Sequence, residues 1–327
     1  GVDWLPVDDA LAILRDSLHR VTGFETLAVS TAVGRILTTS VAAKRANPPE
    51  ANSAVDGYGF AFECLGEGVQ TLSLAEGRSA AGVPFSGRVE CGFALRVLTG
   101  ASIPEGVDTV ILHEDVTQAD GRIAFHSGLK KGANTRRAGE DIEAGAEALG
   151  AGRKLTPADV ALATAVGVSH VQVYAKLRVG VLSTGDELID PDQPELAGSI
   201  YDANRPMLLG LIEKWGYQPV NLGRAEDTEV SVRERLDLAA KTVDVVLTSG
   251  GASAGDEDHM AALLNGEGAM QFWRLAIKPG RPMGLGIWGG KPVFGLPGNP
   301  VAALICALVF ARPALGLMAG RDWQEPQ

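Results

Sequence analysis

Apolar positions along this chain change their period twice. Near the start they recur at helical spacing (Leu11, Leu14, Leu18), with Asp8 and Asp9 in the first turn, where the helix dipole favours acids. A helix is predicted over residues 7–19. Across residues 47–137 that period gives way to short alternating runs, such as 95–98 and 109–112, broken by Gly, Pro and Asp, which predicts small antiparallel strands in an inserted β module. Helical spacing returns at 156–166, where Thr156 can cap, Pro157 fits the first turn and Gly167 ends the run. Strand and helix then alternate: strand 177–182, helix 204–215 closed by Gly216, strand 219–222, helix 228–241, strand 243–248 and a short helix. Strand 271–277, a Gly289-Gly290 hairpin and a helix over 300–317 complete the pattern of an open α/β domain. No internal repeat or low-complexity segment interrupts it.

Length changes this picture, because 327 residues exceed one ordinary core and imply two or three domains. Hydrophobic content of 46% with 21% charged residues belongs to a globular chain. Lys and Arg total 29 against 40 for Asp and Glu, and the resulting −11 disfavours nonspecific binding to nucleic acid or an anionic membrane. A small anionic ligand stays open to it through a local basic cluster. Cys64, Cys91 and Cys306 form no CxxC pair, so neither a disulfide framework nor a zinc site is expected, and a reducing cytoplasm fits. The longest apolar run, 301–310, is half the ~20 residues needed to cross a bilayer and reads as a buried helix face. No secretory leader is visible.

Candidate chemistry gathers in three glycine-punctuated loops: STGDEL at 183–188, TSGGASAGDED at 248–258 and LPGNP at 296–300. Each follows a strand-like run and precedes a helical one. In an open parallel sheet such loops collect at the carboxyl ends of the strands, where backbone N–H groups favour phosphate-like anions. Asp186, Glu187, Asp256 and Asp258 in the same loops would repel an anion without a cation between, so phosphate plus a divalent metal is the working hypothesis, and hard oxygen ligands suit Mg²⁺. Taken alone, each acidic group also reads as ordinary first-turn stabilisation. Residues 251–255 match the G-x-S-x-G elbow of serine hydrolases, yet the last histidine, His259, lies too near to fold back as a base. The small residues better suit close approach of a ligand to the backbone. Lys278 and Arg281 on a proline-stiffened turn read as a solvated turn or, beside the glycine loops, as an oxyanion clamp. The five histidines show no metal-binding spacing.

Seven blocks, NSAVDGYG (52–59), TGASIP (99–104), GEDI (139–142), STGDEL, TSGGASAGDED, AIKPGRP (276–282) and LPGNP, run collinearly over nearly the whole chain. Together they resemble the molybdopterin molybdenumtransferase family, that of MoeA and the gephyrin E domain. The resemblance implies an α/β and β multidomain fold. An open α/β, MogA-like molybdopterin-binding domain spans 177–327, beside an elongated helical/β dimerisation domain of 1–46 and 138–176 that carries the small β module 47–137. It further implies a cytoplasmic enzyme that takes adenylylated molybdopterin and molybdate, inserts the metal at the dithiolene and releases AMP with the cofactor Mg²⁺. Other proteins of molybdenum cofactor synthesis are implied as partners. A noncatalytic binding or carrier protein using the same pocket is the alternative.

Carried over by position, the family's acidic site residues fall on Asp56, Asp141, Glu187, Asp227 and Asp258, with Glu187 and Asp258 near the metal. The basic pair falls on Lys278 and Arg281. Ligand contacts fall on Thr99, on Ser183, Thr184 and Gly185, on Ser249, Gly250, Gly251 and Ser253, and on Pro297, Gly298, Asn299 and Pro300, with Ser249, Gly250 and Gly251 offering backbone N–H groups. The family forms a homodimer in which the inserted module of one subunit faces the α/β domain of the other. An Asp56→Ala chain mixed with a Glu187→Ala chain is therefore expected to regain activity. Glu50-Ala51 departs from the aromatic and aspartate common before Asn52, Arg281 replaces a frequent lysine, and a small C-terminal β domain usual in the family would follow Gln327.

Overall fold

A computed structural model of the chain describes residues 4–126, 128–195, 197–250, 259–267, 271–279 and 282–326. The chain divides into two compact units, Gly1–Thr39 with Gly150–Pro157 and His170–Gln327, and Ser40–Leu149 with Ala158–Ser169. This differs from the expected division at 46/47, 137/138 and 176/177. The reason lies in the first helix, α1 (Val7–Ser17), whose Ala10, Leu11 and Leu14 are buried in the same core as strand residues Val179, Val181 and Val245. Segments on either side of the insertion also pair with each other, Phe24–Ala28 running antiparallel to His170–Tyr174.

The inserted unit is built on six strands: β1 (Gly57–Phe60), β2 (Val69–Ser79), β3 (Phe93–Val97), β4 (Thr109–Leu112), β5 (Thr117–Ala119) and β6 (Arg122–His126). They lie in the order β4-β1-β3-β2-β6-β5. Where antiparallel strands were predicted, one pair, β2 and β3, runs parallel. Residues 80–92 between them are long enough for the crossover that parallel strands need. Tyr58, Phe60, Ile111, Ile123 and Phe125 fill one face of this sheet, with Phe60 and Phe125 stacked at 5.3 Å. Helix α2 (Pro157–Ala165) completes the unit, close to its predicted span. Cys64 and Cys91 are joined in a disulfide, their Cα atoms 5.6 Å apart, which corrects the expectation of unpaired thiols. Spacing along the chain could not show that folding of the sheet brings them together. The cysteines therefore give no argument for a reducing compartment.

The main sheet of the α/β unit has six strands, β7 (Arg178–Thr184), β8 (Gln218–Ala225), β9 (Val245–Ser249), β10 (Gln271–Arg274), β11 (Pro282–Trp288) and β12 (Lys291–Leu296), in the order β8-β7-β9-β12-β11-β10. The first four are parallel, and β11 is antiparallel to both β12 and β10. Alternation along the buried strands separates two cores. Val179, Val181, Val245, Leu247, Phe294 and Leu296 face α1 and α3 (Asn204–Lys214), whereas Leu182, Val246 and Val293 face α4 (Glu229–Thr242) and α5 (His259–Glu267). Thr228 caps α4, its hydroxyl accepting from Ser231 N at 3.3 Å.

The predicted final helix is interrupted. It consists of α6 (Pro300–Cys306), a π turn over Ala307–Ala311 and α7 (Arg312–Met318). Pro313 has no N–H for the carbonyl one turn back and its ring crowds that group, so the turn before it widens. Pro300–Met318 is long and apolar enough to span a bilayer by composition. Ala303, Cys306, Ala307, Phe310, Ala311, Ala314, Leu315 and Met318 are nonetheless all fully buried in the core.

Candidate functional site

The parallel strands end level with one another. Ser183 pairs with Arg224 and Ser249, Thr184 with Ala225, and Ser249 with Leu296, so the loops after β7, β8, β9 and β12 leave from one rim. Because Arg274 pairs with Pro282, the connection carrying Lys278 opens at that rim too. Strand order reverses direction between β7 and β9, and the crevice outside such a switch point is where open α/β sheets hold ligands.

Direct contacts tie the loops together there. Gly250 adopts φ +92°, and a Cβ on it would lie 2.7 Å from Thr184 Oγ1 and 2.9 Å from its carbonyl oxygen. Only glycine lets the loops after β7 and β9 approach this closely. The buried Asn204 side chain, opening α3, donates to Ser249 Oγ and to the Gly298 carbonyl, both at 2.7 Å. One amide thus joins the loops after β9 and β12. Nothing in the spacing of Asn204 marked it as a site residue; its position three residues past the strand Ile200–Tyr201 was the available signal. Arg224 donates to the carbonyls of Gly185, Asp186 and Leu188 at 3.4, 3.3 and 2.8 Å, and Asp227 N donates to Asp186 Oδ1 at 3.0 Å. The STGDEL loop is therefore held from below.

Several expected contacts are occupied otherwise. Gly250 N donates to the Leu296 carbonyl at 3.2 Å, continuing the strand ladder, so it is not a free donor for a ligand. Asn299 caps α6, accepting from Val301 N at 3.0 Å and Ala302 N at 3.1 Å, with Pro300 in the first turn. Ser183 is fully buried within β7, and its Oγ has no partner among the described residues, as is also true of Asn204 Oδ1. Pro297 is buried, whereas Gly298, Glu187, Asp227 and Lys278 are exposed at the rim. Gly251, Ser253, Asp258 and Arg281 lie outside the described residues. Among the described residues no three His, Cys, Asp or Glu side chains cluster as a ready-made cation cage. The donor set still fits Mg²⁺, which takes one or two carboxylates and keeps several waters. Glu187 supplies an exposed carboxylate, folded back against Gly185 and close enough that a Cβ there would meet it at 2.5 Å.

In the inserted unit, Asp56 and Thr99 meet. Asp56 Oδ1 accepts from Thr99 N and from Thr99 Oγ1, both at 2.7 Å. Those bonds, the backbone one foremost, hold the Asp56 carboxyl below its ordinary value. Asp141 accepts from Arg136 Nη2 at 2.6 Å and from Asn47 Nδ2 at 3.2 Å, and Arg136 itself pairs in register with Asn52 of the NSAVDGYG block. Both carboxylates are thus held in place by hydrogen bonds. Thr99→Val deletes the hydroxyl and keeps the N–H, so the Asp56 pKa is expected to rise part of the way back towards 3.8. A depressed folded-state pKa adds stability above the unfolded value and loses it as pH falls through the folded one. The variant should therefore be less stable than wild type at neutral pH, with the gap closing in acid. Carbon-detected NMR titration of the carboxyl checks the shift; an unchanged Asp56 pKa rejects the hydroxyl's share.

Comparison with known proteins follows this geometry. Residues 5–167 match the MoeA N-terminal region (domain I and II), and residues 180–316 match the probable molybdopterin binding domain. The molybdopterin molybdenumtransferase of Haemophilus influenzae is 38% identical over 324 residues, covering 98% of this chain and 80% of that protein. The Nostoc protein of the same name is 33% identical over 300 residues, 89% of this chain and 69% of its own. A crystal structure of the molybdopterin biosynthesis MoeA protein from Pyrococcus horikoshii OT3 superposes with a TM-score of 0.82 at 31% identity, covering 98% of this chain and 80% of that one. With both regions matched in order and such identity over most of both lengths, the chain belongs to the molybdopterin molybdenumtransferase family.

Proposed function

We propose that this enzyme of molybdenum cofactor biosynthesis takes adenylylated molybdopterin and molybdate, transfers the metal to the dithiolene, and releases AMP in a Mg²⁺-dependent step. The observation that carries this reading is the convergence of the loops after β7, β9 and β12 at one switch point, locked by Gly250 against Thr184 and by Asn204 across Ser249 and Gly298. Such a rim holds a phosphorylated ligand against backbone that side chains do not shield. Lys278, exposed on the same rim, supplies the positive charge that an oxyanion requires. Glu187, with Asp258, would hold Mg²⁺. When bound, that ion neutralises charge on the phosphates and on the departing AMP. Asn204 positions rather than reacts: with both N–H groups committed, it fixes the spacing of two loops.

Carboxylates favour catalysis over mere carriage, because a carrier needs donors and cations more than acids. Incubation with adenylylated molybdopterin, Mg²⁺ and molybdate is expected to yield AMP in a molybdate-dependent manner. Tight pterin binding without that release would make the protein a carrier. We further propose a homodimer, to be checked by sedimentation and by complementation between Asp56→Ala and Glu187→Ala chains.

A further inference from the structure

We propose that the α/β unit carries a second anion site, a pocket that takes an organic phosphate on Lys154, Arg312 and Arg321 beneath Tyr217. It lies at the end of the sheet away from the glycine loops. Tyr217 immediately precedes β8, and Gln218 N donates to the Leu177 carbonyl just before β7, so this is the amino rim of the parallel strands. The pocket has a volume of about 730 Å³, within the size range of small-molecule sites.

Charge is the first argument. Lys154, Lys214, Arg312 and Arg321 line one cavity in a chain of net charge −11, and none of them forms an ion pair among the described residues. Two acids, Asp322 and Glu325, share the wall with these four cations, and Glu325 already accepts from Trp323 Nε1 at 3.1 Å. Lys154 is fixed by donating to the Trp215 carbonyl at 2.7 Å. Burial, then the neighbouring Arg321 and Arg312, lower its pKa, so the three cations are near enough to oppose one another. An anion between them removes that repulsion.

Shape is the second. Tyr217 is buried, and burial pushes its phenol up to about 12, leaving the hydroxyl a donor at neutral pH; it makes no hydrogen bond within the described residues. Gly316 adjoins both groups, its Cβ position lying 3.8 Å from Tyr217 Oη and 4.0 Å from Arg321 Cδ. Trp215, Leu308 and Pro313 add an apolar wall beside the cations, which suits a phosphate carrying an organic body.

Calorimetric titration with phenyl phosphate and with inorganic pyrophosphate, at constant ionic strength, tests this. Both are expected to bind, and affinity should fall by about tenfold for each of Arg312→Gln and Arg321→Gln, because each removes a charge-assisted hydrogen bond. Asn204→Ala, at the other rim, should leave this binding in place. Thermal melts confirm folding of the variants, and Lys154→Gln replaces either arginine variant that fails to fold. Unchanged affinity in the cation variants, or loss in Asn204→Ala alone, overturns the second site and assigns the phosphate to the glycine loops. Either result leaves molybdate-dependent AMP release unaffected, so the two proposals fail separately.

Discussion

Gly57→Ala destabilises the inserted unit by about 3 kcal/mol or more. Gly57 lies in β1, paired with Val97 of β3 on one side and Leu112 of β4 on the other. A Cβ there would overlap the Ile111 carbonyl oxygen and stand 2.9 Å from its carbon. These are backbone atoms of a neighbouring strand, which cannot swing aside as a side-chain tip would. Relief requires separating β1 from β4, and that displaces Asp56 from Thr99. Gly66→Ala is the control, because nothing lies within 4 Å of its added methyl. Chemical denaturation should show a shift within about 0.5 kcal/mol for the control. Equal midpoints for the two variants would show that β1 has room the packing does not indicate.

Glu187→Ala lowers kcat about a hundredfold while changing the Kd for adenylylated molybdopterin by less than about threefold, if the carboxylate acts on charge that develops during transfer. The loop that carries it does not depend on it. Arg224 and Asp227 hold the STGDEL backbone through the carbonyls and through Asp186, leaving Glu187 uncommitted. Removing its carboxylate therefore leaves the loop in place. Single-turnover kinetics beside equilibrium pterin binding separate the outcomes. Parallel loss of binding and rate would assign Glu187 to holding the ligand rather than to the chemical step. Asn299→Ala offers a contrast, since its side chain caps α6 and its loss costs about 1 kcal/mol of stability.

Local pattern made most elements legible. The helices at α1, α2, α3 and α4 fall within a few residues of their predicted spans because each joins a helical period to a definite start or stop. The last helix was legible as apolar but not as interrupted: Pro313 sits in a run whose hydrophobicity outweighs it when composition alone is read. Pairing was less accessible. The parallel β2–β3 match and the Cys64–Cys91 bond join residues whose separation carries no trace of their contact.

Taken by itself, the order of residues determined that glycine-rich, acidic loops follow the buried strands, since such positions follow from local conformational freedom and charge. Tertiary structure alone decided which of those atoms are free. It committed Gly250 N to a strand, Asn299 to a cap and Asn204 to a bridge, and it left Glu187 exposed. The physical reason is that hydrogen-bond partners of buried polar groups are chosen by proximity in the folded chain, where residues 94 positions apart, such as Asn204 and Gly298, compete on equal terms with neighbours.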